Sequence, residues 1–365
     1  MTGRANIIAQ SRSIEYIAVS LSLALNEQLA ATATASAVVE SASAAAQAAS
    51  EALSSLYHAD DLYGMTPSFG GNLAMSVVMG VFMICHALLG AWFRTWWFGI
   101  SFVIGTALEM IGYIGRTISG HNPQSINPFL IQIICLTIAP CFIMAGIYYL
   151  LGQLIQIYGT EYALLKPMWY LYIFISCDII SLAVQAAGGG IAATSLTQYQ
   201  SAKGGTHTMV GGLAFQVFSM SIFLWLLFNF LWRIKYLRKG HADMEFNPRY
   251  CRLREHKKFQ FFPIIIVVAV MFVYVRSIYR VIELSEGWVG YLIVHEVYFM
   301  ILDALMIGLT CVIFIPWHPG IILGGRIIAV EGTRAYKRQI KRESATKDSS
   351  TNDQTAEHEN ESCYT

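Results

Sequence analysis

From Arg276 to Asp303 the chain reads R-S-I-Y-R-V-I-E, then L-S-E-G-W-V-G-Y-L-I-V-H, then E-V-Y-F-M-I-L-D. Arg276, Arg280, Glu283, Glu296 and Asp303 stand at the edges of two apolar runs or inside them. Ionisable side chains at membrane depth are costly and mark a functional site by default. Carboxylates held there can take an ammonium group or a proton, and guanidinium groups can neutralise them. The same residue types recur at seven-residue spacing: Glu109 with Arg116, Asp178 with Gln185, Arg276 with Glu283, and Glu296 with Asp303. Seven residues is close to two helical turns, so each pair shares a helix face. Four helices with one polar stripe each predict stripes that meet inside a bundle.

The elements that must carry these stripes are visible in the composition. The 365 residues are 55% hydrophobic and only 13% charged, against about 25% charged in soluble domains. Seven apolar runs cover Asn72–Trp92, Trp97–Gly115, Phe129–Leu151, Met168–Ile191, Met209–Trp232, Phe261–Ile282 and Glu296–Ile315. Each is near the ~20 residues that cross a ~30 Å hydrocarbon core. Backbone in lipid must satisfy itself internally, so the runs are helices. The expected fold is an all-α membrane protein, a bundle of seven transmembrane helices over residues 72–320.

Basic residues set the expected orientation. Nine Lys and Arg residues lie between Arg233 and Lys258, and six between Arg326 and Arg342. Seven spans put both groups on one side, taken as cytosolic, with the N-terminus outside. Trp92, Trp96, Trp97, Trp169, Trp232 and Trp317 then fall near cytosolic helix ends, as an aromatic belt requires. Residues 1–71 form an Ala/Ser-rich external segment, read as a cleaved leader or as a loosely helical or disordered tail. Residues 321–365 form a cytosolic tail, basic and then polar and disordered. A net charge of +1 offers no basic field for nucleic acid. The seven cysteines are scattered and read as small packing residues.

Depth follows from ~1.5 Å per helical residue. Glu109, Gln216, Arg276, Arg280, Glu283, Glu296 and Asp303 fall in the outer half, with Arg116 at an outer helix end and Asp178 near the midplane below Gln185. This predicts a polar cavity that opens outward and narrows toward the midplane. A plain structural alternative stands beside it: Glu109, Asp178 and Asp303 pair with Arg276 and Arg280 and lock the bundle. Pro140 reads as a helix kink. Gly188-Gly189-Gly190 reads either as a helix stop or as a place of close backbone approach to a ligand.

Several segments resemble one family. They are L-E-M-I-G-Y-I-G-R (Leu108–Arg116), C-L-T-I-A-P-C-F-I-M-A-G-I-Y-Y (Cys135–Tyr149), S-C-D-I-I-S-L-A-V-Q-A-A-G-G-G (Ser176–Gly190) and G-L-A-F-Q-V (Gly212–Val217). R-S-I-Y-R-V-I-E, H-E-V-Y-F-M-I-L-D-A-L-M (His295–Met306) and W-H-P-G (Trp317–Gly320) follow in order. They are similar to the fungal lipid-translocating exporters, seven-span proteins of the RTA-like type, and most like the branch that exports sphingoid long-chain bases. The resemblance implies a plasma-membrane protein that lowers exposure to these amphipathic amines. It carries over Glu109, Tyr113, Arg116, Pro140, Tyr148, Asp178, Gln185, Gln216, Arg280, Glu283, Glu296, Asp303 and His318 as family positions without assigning their roles. The first 71 residues depart from the pattern and hold no N-x-S/T sequence.

A long-chain base has an ammonium group, hydroxyls and an alkyl chain. Glu109, Asp178 and Asp303 suit the ammonium, and Tyr113, Gln185 and Gln216 suit the hydroxyls. Arg116, Arg276, Arg280, Glu283 and Glu296 are assigned to structural or gating ion pairs. Membrane lipids and long-chain bases are the expected partners. No G-x-x-x-x-G-K-[ST] occurs, so no P-loop hydrolyses ATP, and no cofactor or enzymatic activity is expected. A zinc hydrolase needs three or four ligands at one depth, and His86, His295 and His318 are expected too far apart to share a metal. The remaining alternative is a seven-span lipid or stress sensor.

Overall fold

The computed structural model describes residues 19–28, 31, 44–48, 67–121, 126–197, 203–240, 250–286, 291–323 and 330, and every regular element among them is helical. Seven helices are long and apolar enough to cross a membrane, which makes the chain a multi-pass membrane protein. They are α1 (Phe69–Trp92), α2 (Trp96–Ser119), α3 (Ile126–Tyr158), α4 (Pro167–Thr197), α5 (Lys203–Gly240), α6 (Lys257–Ser285) and α7 (Glu296–Ile313). The expected 1–71 and 321–365 segments lie mostly outside the described residues. Their described parts include helical stretches at 19–28 and 44–48.

α3, α4 and α5 run well past the apolar runs that predict them. An apolar run reports only the stretch in hydrocarbon; a helix keeps its backbone bonds and packing beyond it. The end of α3 shows this, with Gln153, Leu154, Gln156 and Ile157 still buried. α7 is not uniform. One α-helical turn, Glu296–Phe299, leads into a π-helical stretch, Met300–Leu305, before α-helix resumes at Met306. A π stretch is a local insertion in a helix and often sits at a functional site; this one contains Asp303. The chain then turns at 314–317 and caps a short helix, Pro319–Ile322, with the His318 ring.

Neighbours in sequence pack together: α1 on α2, α2 on α3, α4 on α5. α6 touches α3, α5 and α7, and α7 returns to α1. The bundle reverses the polarity of a soluble protein. Val77, Val81, Ile84 and Leu88 of α1, Ile179 and Ile180 of α4, and Phe218 and Phe228 of α5 are exposed, while Glu109, Asp178, Arg276, Glu283 and Asp303 are buried. Trp92, Trp96, Trp97, Trp169 and Trp232 are all exposed near helix ends.

Gly188-Gly189-Gly190 does not stop α4, which continues to Thr197. The close approach it permits is to α5. A Cβ on Gly188 would stand 2.6 Å from the Met209 backbone nitrogen, and one on Gly205 would collide with the Ala192 backbone. Gly205→Leu is therefore expected to lower the thermal stability of the solubilised protein by at least the ~1–3 kcal/mol of ordinary overpacking. Gly211→Leu, on the same helix facing open space, is the control; an equal loss in both would refute the packing argument.

Candidate functional site

One end of the bundle is built around Glu296 at the start of α7. Its Oε2 accepts from the Ser68 backbone N–H at 2.8 Å, and its Oε1 accepts from Asn72 Nδ2 at 2.8 Å and from Arg116 Nε at 3.3 Å. The first turn of α1, the last turn of α2 and the start of α7 are thereby joined. The Arg116 guanidinium also lies 4.1 Å from the centre of the Phe299 ring, within cation–π range.

Deeper in, two guanidinium groups on one face of α6 meet the acid of the π stretch. Arg276 Nε is 3.1 Å and Arg280 Nε 2.9 Å from Asp303 Oδ1. Neither Asp303 oxygen forms an aligned hydrogen bond, so these contacts are ion pairs. Arg280 Nη1 also pairs with Glu283 Oε2 at 2.8 Å, and the Tyr279 hydroxyl donates to Glu283 Oε1 at 3.0 Å. Arg276 Nη2 donates to the Leu136 carbonyl at 2.7 Å and stands 3.6 Å from Glu109 Oε1.

The Leu136 carbonyl is available for a sequence reason. It is four residues before Pro140, and proline has no N–H to donate to the carbonyl at i−4. α3 runs unbroken through Pro140. The consequence of this proline visible in the structure is therefore an acceptor presented to a buried arginine, in addition to whatever bend it imposes.

A cavity of about 60 Å³ lies beside this cluster, room for a few water-sized groups. Its polar wall includes Arg116, Arg276, Arg280, Glu283, Gln185 and Gln216; Phe129, Ile133, Met209 and Leu213 form part of its apolar side. Glu109, Tyr113 and Asp303 are fully buried and stand behind this wall, outside the lining. The cavity therefore gathers two of the six substrate-site residues expected from the sequence, Gln185 and Gln216. It adds Glu283, expected only as an ion-pair partner, and Gln132, Thr137 and Ser277, which no sequence signal marks.

Below the cavity a line of polar contacts joins α4, α5 and α3. Gln185 Nε2 donates to Ser181 Oγ at 2.6 Å and to Gln216 Oε1 at 3.1 Å; Gln216 Nε2 donates to Cys141 Sγ at 3.3 Å. Asp178 lies one turn below Ser181 on α4 and accepts from the Tyr148 hydroxyl at 3.2 Å. Among the described residues no basic side chain lies within ion-pair distance of Asp178. Ser181 and Cys141 carry no charge and fall in apolar stretches, so sequence pattern does not single them out.

Two buried histidines meet at the opposite end of the bundle. His86 and His318, expected together with His295 to be too far apart to share a metal, have ring centres 6.5 Å apart. Both are fully buried. The turn after α7 folds His318 back against Phe98, a return that span counting does not reveal. His86 Nε2 contacts the Cys311 carbonyl at 3.1 Å, and His318 Nδ1 accepts from the Gly320 N–H at 3.1 Å. Burial pushes His318 down to about 4, with His86 beside it acting in the same direction. Among the described residues no group of three potential metal ligands occurs.

Comparisons with known proteins converge on one family. Residues 102–326 match the model of the RTA1-like proteins. The sphingoid long-chain base transporter RSB1 of Saccharomyces cerevisiae is 40% identical over 307 residues, covering 78% of this chain and 80% of the relative. Protein RTM1 of the same organism is 30% identical over 219 residues, 59% of this chain and 65% of the relative. Protoporphyrin uptake protein 1 of Saccharomyces cerevisiae is 30% identical over 216 residues, 59% and 66% respectively. No solved structure matches the chain.

Proposed function

The chain belongs to the RTA1-like family, and on that premise we propose that it moves sphingoid long-chain bases toward the outer leaflet of the plasma membrane and so confers resistance to them. The observation that carries this reading is the 40% identity to a sphingoid long-chain base transporter across 78% of the chain. The cavity supplies the chemistry. Glu283 offers a carboxylate to the ammonium, and Gln185 and Gln216 offer amides to the hydroxyls. About 60 Å³ admits a headgroup and not a long alkyl chain, so the tail stays among the lipid chains. Asp178, reached through the Gln185–Gln216–Cys141 contacts, is the deeper station for the amine. Asp303 acts behind the wall by holding Arg276 and Arg280, with Glu109 beside Arg276 and Tyr113 packed on Phe299, in place of the direct headgroup contacts expected from the sequence.

The test is reconstitution of the purified protein alone in lipid vesicles, with a labelled long-chain base on one leaflet. Accelerated movement to the other leaflet is expected. No acceleration would return the protein to the alternative of a seven-span sensor.

The orientation is part of the proposal: residues 1–71 outside, and the 233–258 linker and the 321–365 tail in the cytosol. Tags placed in the linker are expected to be protected from external protease on intact cells, and tags before Phe69 to be cleaved. Cleavage at the linker in intact cells would invert the depth assignments and sink the outward-facing cavity.

A further inference from the structure

Glu109 stands apart from the other acids of the cluster. Glu296 accepts from Ser68 and Asn72, Glu283 accepts from Tyr279 and Arg280, and Asp303 touches two guanidinium groups. Glu109 is fully buried, and neither of its oxygens accepts a hydrogen bond. Its nearest cation, Arg276 Nη2, is 3.6 Å away and is already bonded to the Leu136 carbonyl. The groups that act on it are Tyr113 from its own helix, Cys135 from α3, Arg276 and Arg280 from α6, and Asp303 and Cys311 from α7. Of these only the two arginines are cations, and Asp303 already engages both.

The charge count agrees. Among the described residues Arg116, Arg276 and Arg280 face Glu109, Glu283, Glu296 and Asp303, so carboxyl groups exceed guanidinium groups by one. An ionised carboxylate buried without hydrogen bonds is strongly disfavoured, and a neutral carboxylic acid much less so. The cation that balances Glu109 must reach it behind Arg276, outside the cavity lining. A proton can do so; an alkylammonium cannot without displacing Arg276.

We propose that Glu109 is a proton-binding site, and that Arg276 shifts between Asp303 and Glu109 as that proton is bound and released. Protonation converts the carboxylate to the acid with no other bond made or broken, and the guanidinium keeps its charge. With the proton bound, Arg276 lies nearer Asp303, at 3.1 Å, than Glu109, at 3.6 Å, the arrangement in this structure. When the proton leaves, the carboxylate draws Arg276 from the cavity wall and changes the site that receives the headgroup. Resting on the translocase reading, this links outward movement of the amine to inward movement of a proton, which supplies a driving force to a chain without a P-loop.

Two measurements test it. Infrared spectra of the purified protein at neutral pH are expected to contain a protonated-carboxyl carbonyl band that is lost in Glu109→Gln and shifted in Glu109→Asp. A spectrum unchanged by both substitutions overturns the proton site, whatever the protein transports. In vesicles, an acid exterior is expected to speed outward movement of a labelled long-chain base by roughly 5-fold or more, the low end of linkage between coupled sites. Glu109→Gln is expected to remove the dependence on the gradient. An equal acceleration in Glu109→Gln overturns the linkage, and a band present without any movement in the wild type refutes the translocase reading alone.

Discussion

Arg276→Met is expected to destabilise the bundle by roughly 3–5 kcal/mol, the usual cost of removing one partner from a buried charge pair. Arg276 is ion-paired with Asp303, stands 3.6 Å from Glu109 and donates to the Leu136 carbonyl, so its loss leaves the buried acids with one guanidinium fewer and the carbonyl without its donor. Asp303→Asn is expected to cost less. Arg280 keeps Glu283, and Glu109 can release its proton and become the counter-ion of Arg276. The double variant Arg276→Met/Asp303→Asn leaves the Arg280–Glu283 pair and a neutral Glu109, a balanced set. It is expected to be more stable than Arg276→Met alone, a coupling of the size that double-mutant cycles resolve between residues in contact. Thermal unfolding of the solubilised protein, with surface delivery in cells, measures all three. Additive losses in the double variant would show that Arg276 and Asp303 are not energetically coupled.

The bundle is legible in the sequence because lipid removes most backbone alternatives. A run of apolar residues of spanning length can only be a helix there, and each of the seven predicted runs lies on a separate long helix. The inward faces are legible from the seven-residue spacing of Glu109 with Arg116 and Arg276 with Glu283, all of which are buried. What cannot be read is which polar groups face a cavity and which stand behind its wall. Spacing places a residue on a helix face; it does not say which neighbour covers it. Arg276 is held beside Glu109 by Asp303, which lies in a π stretch, and by the Leu136 carbonyl, which Pro140 leaves without its helical donor. The first has no sequence signature. The second is written in the sequence but becomes visible only when the group opposite Leu136 is known. The His86–His318 contact escapes the sequence for a related reason: a turn after the last span brings a residue back into the bundle.

Asp178→Asn is expected to abolish long-chain-base resistance while leaving folding and surface delivery intact. The substitution nearly preserves shape, and the amide oxygen it introduces can still accept from the Tyr148 hydroxyl, the bond Asp178 makes at 3.2 Å. No ion pair is broken, because among the described residues no basic side chain reaches Asp178. The stability cost is therefore expected to be on the order of 1 kcal/mol, that of a weakened buried hydrogen bond, in contrast to Arg276→Met. What the substitution removes is the ability to bind a cation. Asp178 sits below the cavity at the end of the Gln185, Gln216 and Cys141 contacts, so an ammonium moving between the midplane and the cavity would meet this acid. Tyr148→Phe separates the alternatives, since it deletes the hydrogen bond and keeps the carboxylate; it is expected to retain resistance. The measurement is growth on long-chain base at matched surface protein. Loss of surface protein in Asp178→Asn would assign the residue to the fold. Full resistance at normal surface level would remove the carboxylate from the mechanism and leave Glu283 as the acid that meets the amine.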